Sequence, residues 1–242
     1  MTERRRGIRR TMAFFHAFRV EQDDPARLYT LMANDVIDTL SDHAPLAGRR
    51  VLDVGGGPGY VAEAFDRAGG SCVTVDPSLS ELHLHGRSST LAIVADGQQL
   101  PFADGRFDIV HCSNVLEHVP DPRRLLTELG RCCAPRGLVY LSFTNWLSPW
   151  GGHEISPWHY LGAERAVARY EARGGTVKNR PGQSLFKLNI GEVICWLRQD
   201  EAFDIVSIAP RYYPWWTRPI TRVPGVREVL TWNLEAVVRR RA

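Results

Sequence analysis

The chain has 242 residues, 44% of them apolar and 24% charged, with a formal net charge of +3. That balance is ordinary for a soluble globule of one sizeable domain with appendages; the modest charge demands no nucleic-acid partner, and no apolar run is long enough to span a bilayer. Five scattered cysteines (Cys72, Cys112, Cys132, Cys133 and Cys195) lack any metal-ligand spacing and read as buried, reduced thiols of a cytoplasmic protein.

The first segment, RRRGIRRTMAFFHAF, is basic and then apolar. His16 and Arg19 break the apolar run too early for a signal peptide. It reads as an arm leading into a helix, or as an arm drawn to an anionic membrane surface, with Arg239, Arg240 and Arg241 as a second basic end. Residues 25–40 predict an amphipathic helix, because Leu28, Leu31, Met32, Val36 and Leu40 recur at helical spacing. Tyr29 on it is a core residue or a lid.

VLDVGGGPGY, 51–60, predicts a buried strand running into a glycine turn and a helix, the usual cradle for a nucleotide-like ligand. The pattern is acid-x-G-x-G-x-G and lacks the third glycine of the dinucleotide motif, since Tyr60 stands there. Phosphate is therefore not the expected guest. S-adenosylmethionine has none, and its ammonium group suits the carboxylate of Asp53. CVTVD (72–76) and LAIVAD (91–96) predict two more strands ending in acids. Asp76 follows Asp53 by the interval at which a ribose-binding acid is expected. Asp96, with Gly97 after it, can accept from an adenine amino group. FDIVHCS (107–113) predicts a fourth strand, Pro122–Cys133 a helix, and GLVYLSF (137–143) a fifth strand. Strands alternating with helices predict a parallel α/β sheet, with ligands at its carboxyl ends.

VLDVGGGPGY, VTVDPS, ADGQQLPFADGRFDIVHCSNVLEHVPDP and LGRCCAPRGLVYLSF together resemble the class I S-adenosylmethionine-dependent methyltransferases of small-molecule type. The resemblance is strong over 51–143 and loose elsewhere. It implies a Rossmann-like, doubly wound, mostly parallel seven-stranded sheet whose last inserted strand is antiparallel. Residues 1–47 would form the basic arm and cap helix, and 48–242 one methyltransferase domain with substrate-side insertions at about 144–185 and 211–225. It also implies S-adenosyl-L-methionine contacts at Asp53, Gly55 and Gly57 (methionine side), Asp76 (ribose), Asp96 and Gly97 (adenine), and Asn114 under the cofactor.

After the fifth strand comes TNWLSPWGGHEISPWHYLG, 144–162. It lies on the ligand side, so Trp146, Trp150, Trp158 and His159 are expected at the acceptor, with Gly151 and Gly152 as hinges of a lid; the plainer reading is that these tryptophans cap the core. The His-x5-His spacing of His153 and His159, with Glu154 between, is not that of a metal site, and no metal is expected. His153 is the first choice of general base, with His118 and His111 as rivals. Residues 189–200 predict a helix, 203–210 and 230–240 the last two strands. Between them RYYPWWTRPITRVPG, 211–225, reads as an irregular surface segment with packed aromatics, or as a grip for an anionic, sugar or lipidic group. The expected reaction is methyl transfer to a small-molecule, lipid or glycan acceptor, at oxygen or carbon. The alternatives are an inactive methyltransferase-like binding subunit and, from another reaction class, a nicotinamide-dependent oxidoreductase.

Overall fold

The computed structural model describes residues 7–87, 89 and 91–242. Arg4 to Arg6 of the basic arm lie outside them. The chain opens with two helices, α1 (Ile8–Arg19) and α2 (Pro25–Ser41). Asp24 starts α2 by accepting from Arg27 N, and Pro25 occupies its first turn. Then follow β1 (Arg50–Val54), α3 (Tyr60–Arg67), β2 (Ser71–Asp76), the single turn α4 (Leu79–Leu82), β3 (Ala92–Val94), β4 (Phe107–Ser113), α5 (Pro122–Cys132) and β5 (Cys133–Thr144). The remainder is α6 (Ala163–Glu171), α7 (Ile190–Gln199), β6 (Phe203–Pro210), α8 (Val226–Leu230) and β7 (Asn233–Arg240).

The seven strands form one sheet in the order β3-β2-β1-β4-β5-β7-β6. β7 slots between β5 and β6 and is antiparallel to both, while the β1, β2, β3, β4 and β5 pairings are parallel. This is the expected doubly wound sheet with its inserted antiparallel strand. Some bounds differ. β3 stops at Val94, so Asp96 and Gly97 lie in the turn beyond it rather than on the strand. β5 begins at Cys133, four residues early, and β7 begins at Asn233.

Because strand side chains alternate, the sheet has two different faces. Leu52, Val54, Val110, Cys112, Val139, Leu141 and Phe143 pack against α5 and α7. Val51, Ile109, Leu138, Tyr140 and Val237 pack against α2 and α3. Four of the cysteines are buried free thiols as expected, but Cys195 on α7 is exposed. The C-terminal arginines do not form a loose basic end: Arg239 donates to the carbonyls of Arg136 and His43, Arg240 to that of Arg131, and Arg241 pairs with Asp204. Among the described residues no helix is long and apolar enough to cross a membrane.

Candidate functional site

The carboxyl ends of β1, β2 and β4 converge on the glycine turn. Gly55 N donates to Val75 O at 2.7 Å, which ties the turn to β2. Gly57 adopts φ +47°, a left-handed conformation that favours glycine, and a side chain there would meet almost nothing. The turn is thus open at Gly57. It is closed at its neighbours: a Cβ on Gly55 would collide with Val115, and one on Gly56 with the Asp53 carboxylate. Gly56 is a requirement that the motif spacing does not reveal.

Asp53 is wholly buried. It lies beneath the turn instead of projecting from it. Residues 53 and 111 are register partners on β1 and β4, so His111 Nδ1 reaches Asp53 Oδ1 at 2.7 Å. A carboxylate only accepts, so the imidazole donates. Asp53 Oδ2 has no partner. The His111 ring stacks on Tyr140 with centroids 5.2 Å apart, and the Tyr140 hydroxyl donates to Glu235. His111 is therefore a partner of Asp53 inside the protein and not a base at an acceptor.

Asp76 ends β2, 7% exposed. Its Oδ2 accepts from Gly57 N at 3.3 Å and its Oδ1 from Ser78 N at 2.9 Å. Burial raises its pKa above the ordinary 3.8, against the pull of those two donors. Asp96 is exposed and accepts from Gln98 N, while Gly97 is buried between Leu125 and Val54. Asn114, just past β4, has φ +56°, which asparagine tolerates better than most residues. Its Oδ1 accepts from Asn233 at 2.7 Å, and it also hydrogen-bonds Tyr212. Fully buried Arg211 donates to the hydroxyls of Ser113 and Ser142 at 2.6 and 2.8 Å, and Arg10 of α1 binds the Arg211 carbonyl and the Asp35 carboxylate. Neither arginine stands out in the sequence. Their only signal is position, one just after the β6 run and one in the arm helix.

The aromatic segment divides in two. Trp146 and His159 are buried, and His159 Nε2 donates to the Trp146 carbonyl at 3.1 Å, so they form a wall and not a contact surface. Trp150 and Trp158 remain exposed. Trp150 stacks on Trp232 at 4.6 Å, and the Arg169 guanidinium lies 3.9 Å over the Trp158 ring. Gly151 and Gly152 are not hinges: a side chain at 151 would strike the Asn145 and Trp146 carbonyls, and one at 152 the His159 ring. Close packing demands glycine there. Tyr29 is half-buried, its ring stacked on Tyr60 at 5.5 Å. In the 211–225 segment Tyr212 is buried, yet Trp215 and Trp216 are exposed.

His153 and Glu154 part company, since Glu154 accepts from Asn179. His153 instead meets His118, ring to ring at 5.1 Å, and both lie beside Glu117. His118 and Glu117 belong to a 3-10 turn (Leu116–His118) after β4, and His153 to one (His153–Ile155) after β5. Adjacent parallel strands bring together residues 35 positions apart. Burial holds the His153 pKa below its ordinary value, against the pull of Glu117. Two of the three bases considered from sequence, His118 and His153, thus form one pair. Val115, three residues before His118, packs on Gly55 of the glycine turn.

A family model described as "Methyltransferase domain" matches residues 18–175, well over half of the chain. An "Uncharacterized methyltransferase" of Mycobacterium tuberculosis is 44% identical over 246 residues, covering 97% of this chain and 96% of its own. The crystal structure of an S-adenosylmethionine dependent methyltransferase from Mesorhizobium loti superposes with a TM-score of 0.57 at 21% identity, covering 81% of this chain and 93% of that one. The magnesium protoporphyrin IX methyltransferase of Synechocystis, solved with bound S-adenosylhomocysteine, gives 0.53 at 18% identity over 88% and 84%. At such identities the two structures speak for the fold.

Proposed function

The chain belongs to the methyltransferase domain family, and from that premise we propose that it uses S-adenosylmethionine to methylate an oxygen of an extended lipidic or glycan acceptor. One observation carries the cofactor assignment: buried Asp76 faces a glycine turn that is open at Gly57. The orphaned Oδ2 of Asp53 beneath Gly56 supports it, since a buried carboxylate favours a cationic group above it. Asp76 would accept from the ribose hydroxyls, Asp96 and Gly97 would border the adenine, and Gly55, Gly57 and Asn114 would line the amino-acid end.

Bound there, S-adenosylmethionine supplies a sulfonium-activated methyl group; the chain's own residues bind, orient and exclude water. The exposed Trp150 and Trp158 rings offer an acceptor large flat apolar surfaces, while Trp146 and His159 brace the wall behind them. His118 and His153 are the groups that would activate the acceptor. The lowered pKa of buried His153 favours its basic form as a proton acceptor for an arriving hydroxyl.

Thermal melting with S-adenosylhomocysteine and with NADH tests this reading. At about 100 times its dissociation constant a ligand adds about 2.7 kcal/mol, a shift of roughly 5–10 °C for a chain of this size. A shift with S-adenosylhomocysteine that disappears in Asp76→Ala is expected. A shift with NADH alone would turn the assignment to an oxidoreductase, and stability indifferent to both would make the chain a binding subunit.

A further inference from the structure

Glu117 is 1% exposed, and its two carboxylate oxygens are treated very differently. Oε1 accepts from Thr144 N at 2.7 Å; Oε2 is buried with no partner. A buried ionised oxygen is costly unless it is paired or coordinates a cation. Two imidazoles lie beside this carboxylate. His118 Nδ1 donates to the Ser184 carbonyl at 2.6 Å, and His153 Nδ1 lies 3.4 Å from the Gly151 carbonyl. A carbonyl can only accept, so in both rings Nδ1 carries a proton, and Nε2 is the nitrogen left to meet a ligand. This carbonyl-fixed tautomer is the arrangement that supports metal-ligating histidines. One ligand atom from each of Glu117, His118 and His153 falls within 4.8 Å of the others. Ligands about 2.0–2.2 Å from one zinc ion stand roughly 3.3–3.6 Å apart in a tetrahedron, so a side-chain shift of about an ångström closes the set. His153 also holds φ +51°, a conformation that a non-glycine residue keeps only where its surroundings demand it.

We propose that Glu117, His118 and His153 form a binding site for one divalent cation of the zinc class, held by two imidazoles and one carboxylate with a coordination position left open toward the acceptor. Two nitrogen donors favour zinc or a neighbouring transition metal over magnesium or calcium, which prefer oxygen alone. Three protein ligands with a vacancy is the form that catalytic zinc sites take, whereas structural sites are closed by a fourth. The open position would receive the acceptor oxygen; with both imidazoles ligating the ion, the cation replaces His153 as the activating group by favouring the deprotonated oxygen, and the proton passes to solvent. This use of the ion rests on the methyltransferase reading above; the binding of the ion does not.

The test uses the full chain, stripped with a chelator and then titrated with Zn2+ by equilibrium dialysis and with Co2+ by visible absorption. One equivalent of Zn2+ and the ligand-field bands of four- or five-coordinate Co2+ are expected. His153→Ala should weaken binding by more than the ~10–100-fold that loss of an outer-shell partner costs, and Glu117→Gln, which keeps an acceptor for Thr144 N, should do the same. Melting curves of both variants report whether they fold, and His118→Ala serves where either does not. Failure of the wild type to take up Zn2+ or Co2+, or uptake unchanged in His118→Ala/His153→Ala, would overturn the proposal. The S-adenosylhomocysteine melting shift is read on the same samples. A metal-free protein that still shows it defeats the cation site and leaves the cofactor reading standing. A metal-loaded protein without it does the reverse.

Discussion

On the side of α5 and α7 the sheet presents Leu52, Val54, Val110, Cys112, Val139, Leu141 and Phe143, all apolar. On the side of α2 and α3, β1, β4 and β5 present Asp53, His111, Ser113, Tyr140 and Ser142 toward their carboxyl ends, antiparallel β7 adds Glu235 from near its amino end, and Arg211 lies against them. Both sets are largely buried. They differ in what burial does for them. A buried leucine contributes by leaving water, about 1.5–3 kcal/mol, whatever its exact neighbours. A buried acid contributes only if its hydrogen bonds are met. The first face therefore supplies stability. The second supplies fixed charges and dipoles next to the glycine turn, at some cost in stability.

The largest expected effect tests the apolar face. Leu129→Ala in α5, at a fully buried position, should cost about 2–5 kcal/mol in denaturant unfolding. Its affinity for S-adenosylhomocysteine, measured on the folded protein by calorimetry, should stay as in wild type. Equal losses of both would erase the division between the faces.

Asp76→Ala should show the opposite pattern. Losing hydrogen bonds to a charged acceptor costs about 1.5–3 kcal/mol of cofactor binding, with little change in melting temperature. The pH dependence has a definite sign. Burial raises the Asp76 pKa, so its ionised form weighs against folding at neutral pH and that cost fades as pH falls through the raised value. Cofactor affinity should fall over the same range, which begins above the usual carboxylate range, and Asp76→Asn should flatten the profile. An affinity independent of pH there would remove Asp76 from the site.

His111→Phe probes the polar face from within. It leaves Asp53 buried without its donor and should cost about 1–3 kcal/mol of stability. Asp53→Asn together with His111→Phe should recover part of it, a coupling that a double-mutant cycle measures directly. Additive losses would mean that the pair is not a unit. The smallest effect is at the rim. Trp150→Ala forfeits the stack on Trp232, about 0.5–1.5 kcal/mol, and should raise the acceptor KM more than it lowers kcat.

The glycine turn and the acids near the strand ends, which make up the candidate cofactor site, were legible because their determinants are local. Asp53, the glycines and Tyr60 are consecutive, and Asp76, Asp96 and Asn114 each follow a short apolar run whose end can be read from its pattern. The alternation in FDIVHCS even places His111 on the face opposite Val110 and Cys112. The surroundings of the aromatic segment after β5 were not legible, for the opposite reason. Trp146, Trp150, Trp158 and His159 look alike in a list of aromatics, but burial separates them, and burial depends on Trp232 and Leu188, far away in the chain. The spacing of His153 and His159 spoke against a metal; in the structure His153 meets the His118 ring, while His159 binds the Trp146 carbonyl.

By itself the sequence determined the order and type of the main strands and helices, the doubly wound class and the acids at the strand ends, because periodicity, capping and turn chemistry act over a few neighbouring residues. Only the tertiary structure decided which partners those side chains meet. The register of β1, β4 and β5 set Asp53 against His111 and His111 against Tyr140. The adjacency of β4 and β5 brought His153 to Glu117 and His118. Such contacts between distant residues have no local pattern, since they arise from the packing of whole strands.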